Sequence, residues 1–271
     1  MFEVSERDQL RARMVDAARG DRDVEGVALV GSAARGHEDQ WSDIDLALLL
    51  TLGSDPEEVA QRWTRQLQRD EAVIDHLDVH ASGALYRVFL LRSTLQLDLS
   101  FWPHGSFVTG GAPVRVLFGQ PIEPIESAES AGAGVVEDAM AQVRMAWLYA
   151  LHARSALARG RGWQVLWMLE GIRNQLVSLY CLRYGLPTHQ GRGVDQLPDP
   201  VRAELARTLV ASTDPAGLGD TFGVLVDLLL EEADRQDLPL PPGLRQALDE
   251  LVSSGLRAGP GGSRSDQSER V

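Results

Sequence analysis

Apolar residues follow two rhythms along this chain. Between residues 24 and 118 they come in short runs or strict alternation. From residue 135 they recur every three or four positions. Val24 to Val30 and Ile44 to Leu50 are near-continuous apolar runs bounded by turn residues, the pattern of buried strands. Leu95 to Phe101 alternates strictly. Side chains alternate faces along a strand, so Leu95, Leu97, Leu99 and Phe101 share one face and Gln96, Asp98 and Ser100 the other. Ala72 to Ala81 and Leu85 to Leu91, joined through Ser82-Gly83, predict a hairpin, and Val114 to Phe118 a short last strand. Two helices join this set. Ser5 to Ala18 places Leu10, Met14, Val15 and Ala18 at helical spacing, with Ser5 as the expected N-cap. Asp55-Pro56-Glu57-Glu58 starts a helix that runs to about Arg69, with proline in its first turn and acids at the positive end of its dipole.

The segment from Pro121 to Gly134 is rich in Pro, Glu, Ser, Ala and Gly and marks a boundary. Helical periodicity then covers Val135 to Arg159 and Gln164 to Tyr184, the latter with an apolar stripe of Leu166, Leu169, Ile172, Leu176, Leu179 and Tyr180. Gly185-Leu186-Pro187 ends that helix. Pro200 to Ser212, Ala216 to Gln236 and Pro242 to Gly255 complete a bundle. The expected fold is α+β: an N-terminal mixed-sheet domain over 1–122, a C-terminal helical bundle over 135–256 and a disordered tail over 257–271. No internal repeat is visible. Clefts between two such halves are common ligand sites.

Composition narrows the partners. The chain has 271 residues and a formal net charge of −13. Phosphate backbones demand clustered cations, so this balance, with no basic run, argues against a nucleic-acid polymer as partner. All 26 cationic residues are arginine. Any cation needed on a phosphate must therefore be a guanidinium, which suits that task. One cysteine, Cys181, rules out an intrachain disulfide and a thiolate metal site. The charged stretch Met1 to Arg13 lacks a signal-peptide apolar region. No apolar run approaches membrane-spanning length. The expected location is cytoplasmic.

The chemistry concentrates in Ser42-Asp43-Ile44-Asp45-Leu46. Asp43 and Asp45 point to one side of a strand whose Ile44 and Leu46 point into a core. Paired carboxylates repel unless a cation lies between them, and hard divalent cations take oxygen ligands. Upstream lies a turn, Gly31-Ser32-Ala33-Ala34-Arg35-Gly36, directly after a strand. Gly31 and Gly36 fit the glycine spacing of a phosphate loop. His37 and Glu38, however, replace the lysine and hydroxyl residue of that motif, and a glutamate there would repel phosphate. The P-loop reading is rejected.

Gly31-Ser32, then Asp43-x-Asp45, then an acid on a later strand, resembles the nucleotidyltransferase superfamily that includes DNA polymerase beta. The resemblance implies that Gly31 lets backbone approach a triphosphate and that Ser32, beside Ser42, binds it. It implies that Asp43 and Asp45 hold Mg2+, and that Asp98 completes the metal site or acts as general base. ATP or another nucleoside triphosphate is the implied co-substrate. The helical second half is similar to that of aminoglycoside and lincosamide nucleotidyltransferases, which act on a small-molecule hydroxyl. Arg35 matches the arginine of their Gly-Ser-x-x-Arg form. Glu170 and Arg173, three apart on one helix, match loosely their catalytic glutamate and nearby cation. A monomer or homodimer is expected, with no membrane partner.

Plainer roles stand beside these. Asp78 and His80 alternate on an earlier strand and compete with Asp98 for the third position. Glu170 and Arg173 suit an ordinary helix ion pair. Trp102 suits a strand-end anchor or an acceptor-pocket wall. Trp147, Trp163 and Trp167 suit bundle core ahead of a stacking platform. Two other functions fit the same motif: AMP transfer to a protein or RNA end, as in antitoxin-like enzymes, and a non-catalytic nucleotide-binding module.

Overall fold

The computed structural model describes residues 2–108, 113–119, 139–188, 191–210 and 212–258. The expected linker at 121–134, the first turn of the helix expected from Val135 and nearly all of the expected tail lie outside the described residues. The chain divides into two units, Met1–Gly134 and Val135–Val271.

The first unit is a six-stranded mixed sheet with helices on one face. Its elements are α1 (Val4–Gly20), β1 (Val24–Leu29), a single-turn α2 (Gly31–Ala34), β2 (Ile44–Leu50), α3 (Pro56–Asp70), β3 (Val73–Ala81), β4 (Ala84–Leu91), β5 (Gln96–Trp102) and β6 (Arg115–Phe118). The strand order is β3-β4-β5-β2-β1-β6. β2 and β5 run parallel and every other neighbour pair is antiparallel. The strands coincide with the sequence pattern to within two residues. Ser5 lies inside the first turn of α1, however; Glu3 occupies the N-cap and makes no side-chain cap. Asp55 caps α3, accepting from the backbone N–H of Glu57 and Glu58.

The two sheet faces have different work. One carries Val27, Leu29, Ile44, Leu46, Leu48, Leu97, Leu99 and Phe101. It packs on Leu10 and Met14 of α1 and on Val59, Trp63 and Leu67 of α3, forming the main core. Burial of this continuous apolar face holds the strand register, because a one-residue slip would turn it to solvent. Arg87 of β4 lies buried on the same face. Its Nε and Nη2 donate to the two oxygens of Asp78 at 2.6 and 2.5 Å, and its Nη1 donates to Thr64 Oγ1 at 2.9 Å, tying β3 and β4 to α3. The opposite face is lined by small residues, Ala28, Ala47 and Ala84, beside Trp102 and Phe107.

The second unit contains α4 (Ala139–Ala158), α5 (Gly162–Arg183), a 3-10 turn at Val194–Gln196, α6 (Asp199–Ala206), α7 (Pro215–Arg235) and α8 (Leu244–Ala258). α4 packs on α5, α7 and α8, and α5 on α7. A Cβ on Gly171 would come within 2.7 Å of the Tyr149 ring, so glycine permits the close approach of α5 to α4. The buried stripe of α5 is Val165, Leu169, Ile172, Leu176 and Leu179, with Leu166 only half-buried at its margin. Trp147 is fully buried, as expected of a core residue. Trp163 and Trp167 are not core: they are 78% and 73% exposed. At 100° per residue both lie opposite the Val165–Leu169–Ile172 stripe, and spacing alone does not tell which side of a largely apolar helix turns inward.

Candidate active site

Asp43, Asp45 and Asp98 converge on the sheet face of the first unit that α1 and α3 do not cover, each offering an oxygen within 4.8 Å of the others. Among the described residues they are the group of His, Cys, Asp and Glu able to hold a metal ion. The convergence has a simple origin. β2 and β5 pair in parallel with Asp45 directly opposite Asp98, while Ile44 opposite Leu97 and Leu46 opposite Leu99 face the core. Asp43 precedes Asp45 by two residues and shares its face.

The register also decides the competition for the third acid. Asp78 lies opposite Arg87, which lies opposite Leu99 on the helix-covered face; Asp98 lies opposite Val88. Asp78 is thus on the wrong side of the sheet and committed to Arg87. His80 pairs with Glu57 at 2.7 Å.

The turn after β1 is a one-turn helix whose first residue, Gly31, has φ +62°. That conformation favours glycine. Space demands it as well: a Cβ on Gly31 would lie 2.1 Å from Asp45 Oδ2. Asp45 thus rests against bare backbone. Ser32 follows with its Oγ buried and without a hydrogen-bond partner. A buried hydroxyl left unpaired is costly and suits a group that arrives later. Arg35 is exposed, and its charge acts on Asp45.

Ser42 is bonded within the loop that precedes it. Its hydroxyl accepts from the Asp39 backbone N–H at 3.0 Å and donates to Asp39 Oδ1 at 3.2 Å, and Trp41 N–H donates to the same carboxylate. Ser42 therefore closes the loop that delivers Asp43. α1 holds that loop from outside. The buried Arg7 donates to the Asp39 carbonyl at 2.6 Å, and Arg11 pairs with Glu38 at 2.5 Å. These contacts span about thirty positions of sequence, and no local signal announces them.

The electrostatics are those of crowded carboxylates. Burial, then the Asp43 charge and a hydrogen bond to Asp43, pushes Asp45 up to about 8; Arg35 pulls the other way. Burial, then Asp45 and Asp43, pushes Asp98 well above the carboxylate range, opposed by a hydrogen bond from Gln96. Three hard oxygen donors, with at least two reluctant to ionise together, fit a divalent cation. The unpaired Ser32 hydroxyl fits a phosphate beside it.

Trp102 is a strand-end anchor. Its Nε1 donates to Ser100 Oγ at 2.9 Å, and its ring meets Tyr86 and Phe107 edge-on. In the second unit, Glu170 and Arg173 do form an ion pair. Arg173 is also bound to Thr208, through its hydroxyl at 3.0 Å and its carbonyl at 2.8 Å. Glu170 is exposed on the α5 face that also presents Trp163, Trp167 and Asn174.

Residues 11–88 match the family model of the nucleotidyltransferase domain. The matched stretch lies within the first unit. The match spans Gly31-Ser32 and the Asp43-x-Asp45 pair; Asp98 lies beyond it and is joined to it by the sheet. No curated protein matches the chain. Among solved structures, an aminoglycoside 6-adenyltransferase from Bacillus subtilis aligns over 94% of this chain and 99% of that one, at 13% identity and a TM-score of 0.33.

Proposed function

We propose that this protein transfers a nucleotidyl group, AMP from ATP, to a hydroxyl of a small molecule in a magnesium-dependent reaction. The observation that carries the reading is the Asp43–Asp45–Asp98 cluster beside the Gly31-Ser32 turn of a nucleotidyltransferase domain. The three carboxylates would hold the ion, which when bound would supply charge neutralisation to the triphosphate and the departing pyrophosphate. Ser32 donates its spare hydroxyl to a phosphate oxygen, and Arg35 balances phosphate charge from the solvent side. Gly31 keeps Asp45 close to the backbone that receives the nucleotide. The acceptor oxygen bonds to the α-phosphorus as the bond to pyrophosphate breaks. Its proton passes to a carboxylate, Asp98 or Glu170.

To acceptor recognition by the second unit we assign Glu170, paired with Arg173, together with exposed Trp163 and Trp167. Indole faces and a carboxylate suit a polar, cationic ring compound. The net charge of −13 favours the same class, of which aminoglycosides are examples. The test is transfer of label from α-labelled nucleoside triphosphates, with Mg2+, to a panel of aminoglycosides and lincosamides, using Asp45→Asn as the blank. Label on a drug supports the reading. Label only on added protein or RNA would move the acceptor to a macromolecule. Absence of pyrophosphate release with every nucleotide and acceptor would leave a nucleotide-binding module.

A further inference from the structure

We propose that Gln96 is the positioning residue of the third carboxylate: it closes the chelating side of Asp98 and so presents that group to the site through a single oxygen. The inference rests on the nucleotidyl-transfer reading and adds to it a residue outside the Gly-Ser and Asp-x-Asp motifs. Gln96 precedes Asp98 by two residues on β5, so the two side chains share the sheet face opposite α1 and α3. It is only 5% exposed. Its Nε2 lies 3.0 Å from Asp98 Oδ1 and 3.0 Å from Oδ2. A nitrogen equidistant from both oxygens stands in front of the carboxylate fork. That is where a cation chelated by both oxygens would stand.

A carboxylate has about four lone-pair directions, and the amide takes the two inside the fork. The outer lone pairs remain, one per oxygen. Their direction is set by an amide that is itself packed into the sheet. Asp45 and Asp43 have no such clamp: Asp45 rests on Gly31 and its neighbour acid. The site therefore contains one carboxylate whose fork is held by an amide and two whose forks are not. A fixed pose is what alignment of an attacking oxygen requires, since small misplacements are expensive in rate. Were Asp98 free to rotate, it could chelate the ion with both oxygens and leave that pose.

The experiment compares wild type with Gln96→Met, which keeps length and volume and removes the amide. Direct Mn2+ binding is measured by calorimetry at pH 8, where protons compete least, without nucleotide or acceptor. Steady-state transfer is measured separately. Freed from the amide, Asp98 gains a second ligand oxygen, so Mn2+ should bind about three- to tenfold tighter. Turnover should fall about tenfold or more with the nucleotide KM unchanged. Gln96→Asn withdraws the amide by one methylene and should show the same split. Unchanged or weaker Mn2+ binding would overturn the proposal, as would unchanged turnover. Failure of both variants to melt cooperatively would assign Gln96 to the fold and also overturn it. If wild type itself transfers nothing, the transferase reading fails, and the Mn2+ comparison still decides the pose of Asp98.

Discussion

Asp45→Asn should make the metal-free protein more stable while removing its activity. In the absence of metal Asp45 is pushed up to about 8 by burial and by Asp43. An unfolded aspartate titrates near 3.9. The native state therefore holds a proton that the unfolded chain releases between about pH 4 and pH 8, and stability falls as pH rises through that window. At pH 7 the gap is about three pH units, which caps the cost at roughly 4 kcal/mol. Asparagine imitates the protonated carboxyl: it is uncharged, fits the same space against Gly31 and can donate to Asp43. It does not relieve the burial of Asp98, so a gain of about 1–3 kcal/mol is the reasonable share. For a unit of this size that raises Tm by about 3–9 °C. The assay is thermal melting followed by circular dichroism, in EDTA, at several pH values from 5 to 8. The difference between variant and wild type should grow with pH and shrink by more than half at pH 5. Added Mg2+ with a non-hydrolysable nucleotide should favour wild type by mass action and narrow or reverse the order. A variant that melts at or below wild type in EDTA at pH 8 would refute uncompensated repulsion at this pair.

Three further outcomes follow from the same geometry. Gly31→Ala drives a Cβ to within 2.1 Å of Asp45 Oδ2 at a backbone φ of +62°. Transfer should fall by about a hundredfold or more and stability by about 1–3 kcal/mol, measured by product formation and urea unfolding. Arg87→Met removes the buried link between Asp78 and Thr64. It should cost about 1–3 kcal/mol in urea unfolding and leave turnover near wild type below the melting range, because Arg87 lies on the face of the sheet away from the acids. Glu170→Gln alters an exposed side chain and should leave the melting curve alone. A kcat drop of about a hundredfold would mark Glu170 as the base, and an unchanged kcat would assign the proton to Asp98.

Much of the first unit was legible because its strands announce themselves twice, by apolar content and by alternation. The alternation of Leu95 to Phe101 put Asp98 on the polar side, and Ile44 between two aspartates put both acids on one face. The helices of the second unit were equally plain, but their orientation was not. α5 is apolar on more than one side, so the sequence allowed Trp163 and Trp167 to be core, and the packing of α5 on α4 and α7, which buries the Val165–Leu169 stripe, leaves them outward. Ser42 looked like a ligand residue because it stands beside Asp43. Its hydroxyl also bonds Asp39, a loop contact that a linear motif does not reveal.

The sequence by itself determined which segments are strands and helices, which acids share a strand face, and that no lysine or thiolate takes part. These are consequences of local periodicity and composition. Tertiary structure decided that β5 lies parallel beside β2 with Asp98 opposite Asp45, that Asp78 is turned to the other side by Arg87, and that α1 holds the loop through Arg7. It also decided that Gly31 is glycine because a carboxylate leans on it, and that Gln96 stands in the fork of Asp98. Each of these depends on strand register and helix docking, which are selected by burying one apolar sheet face as a whole, and no window of sequence contains that whole.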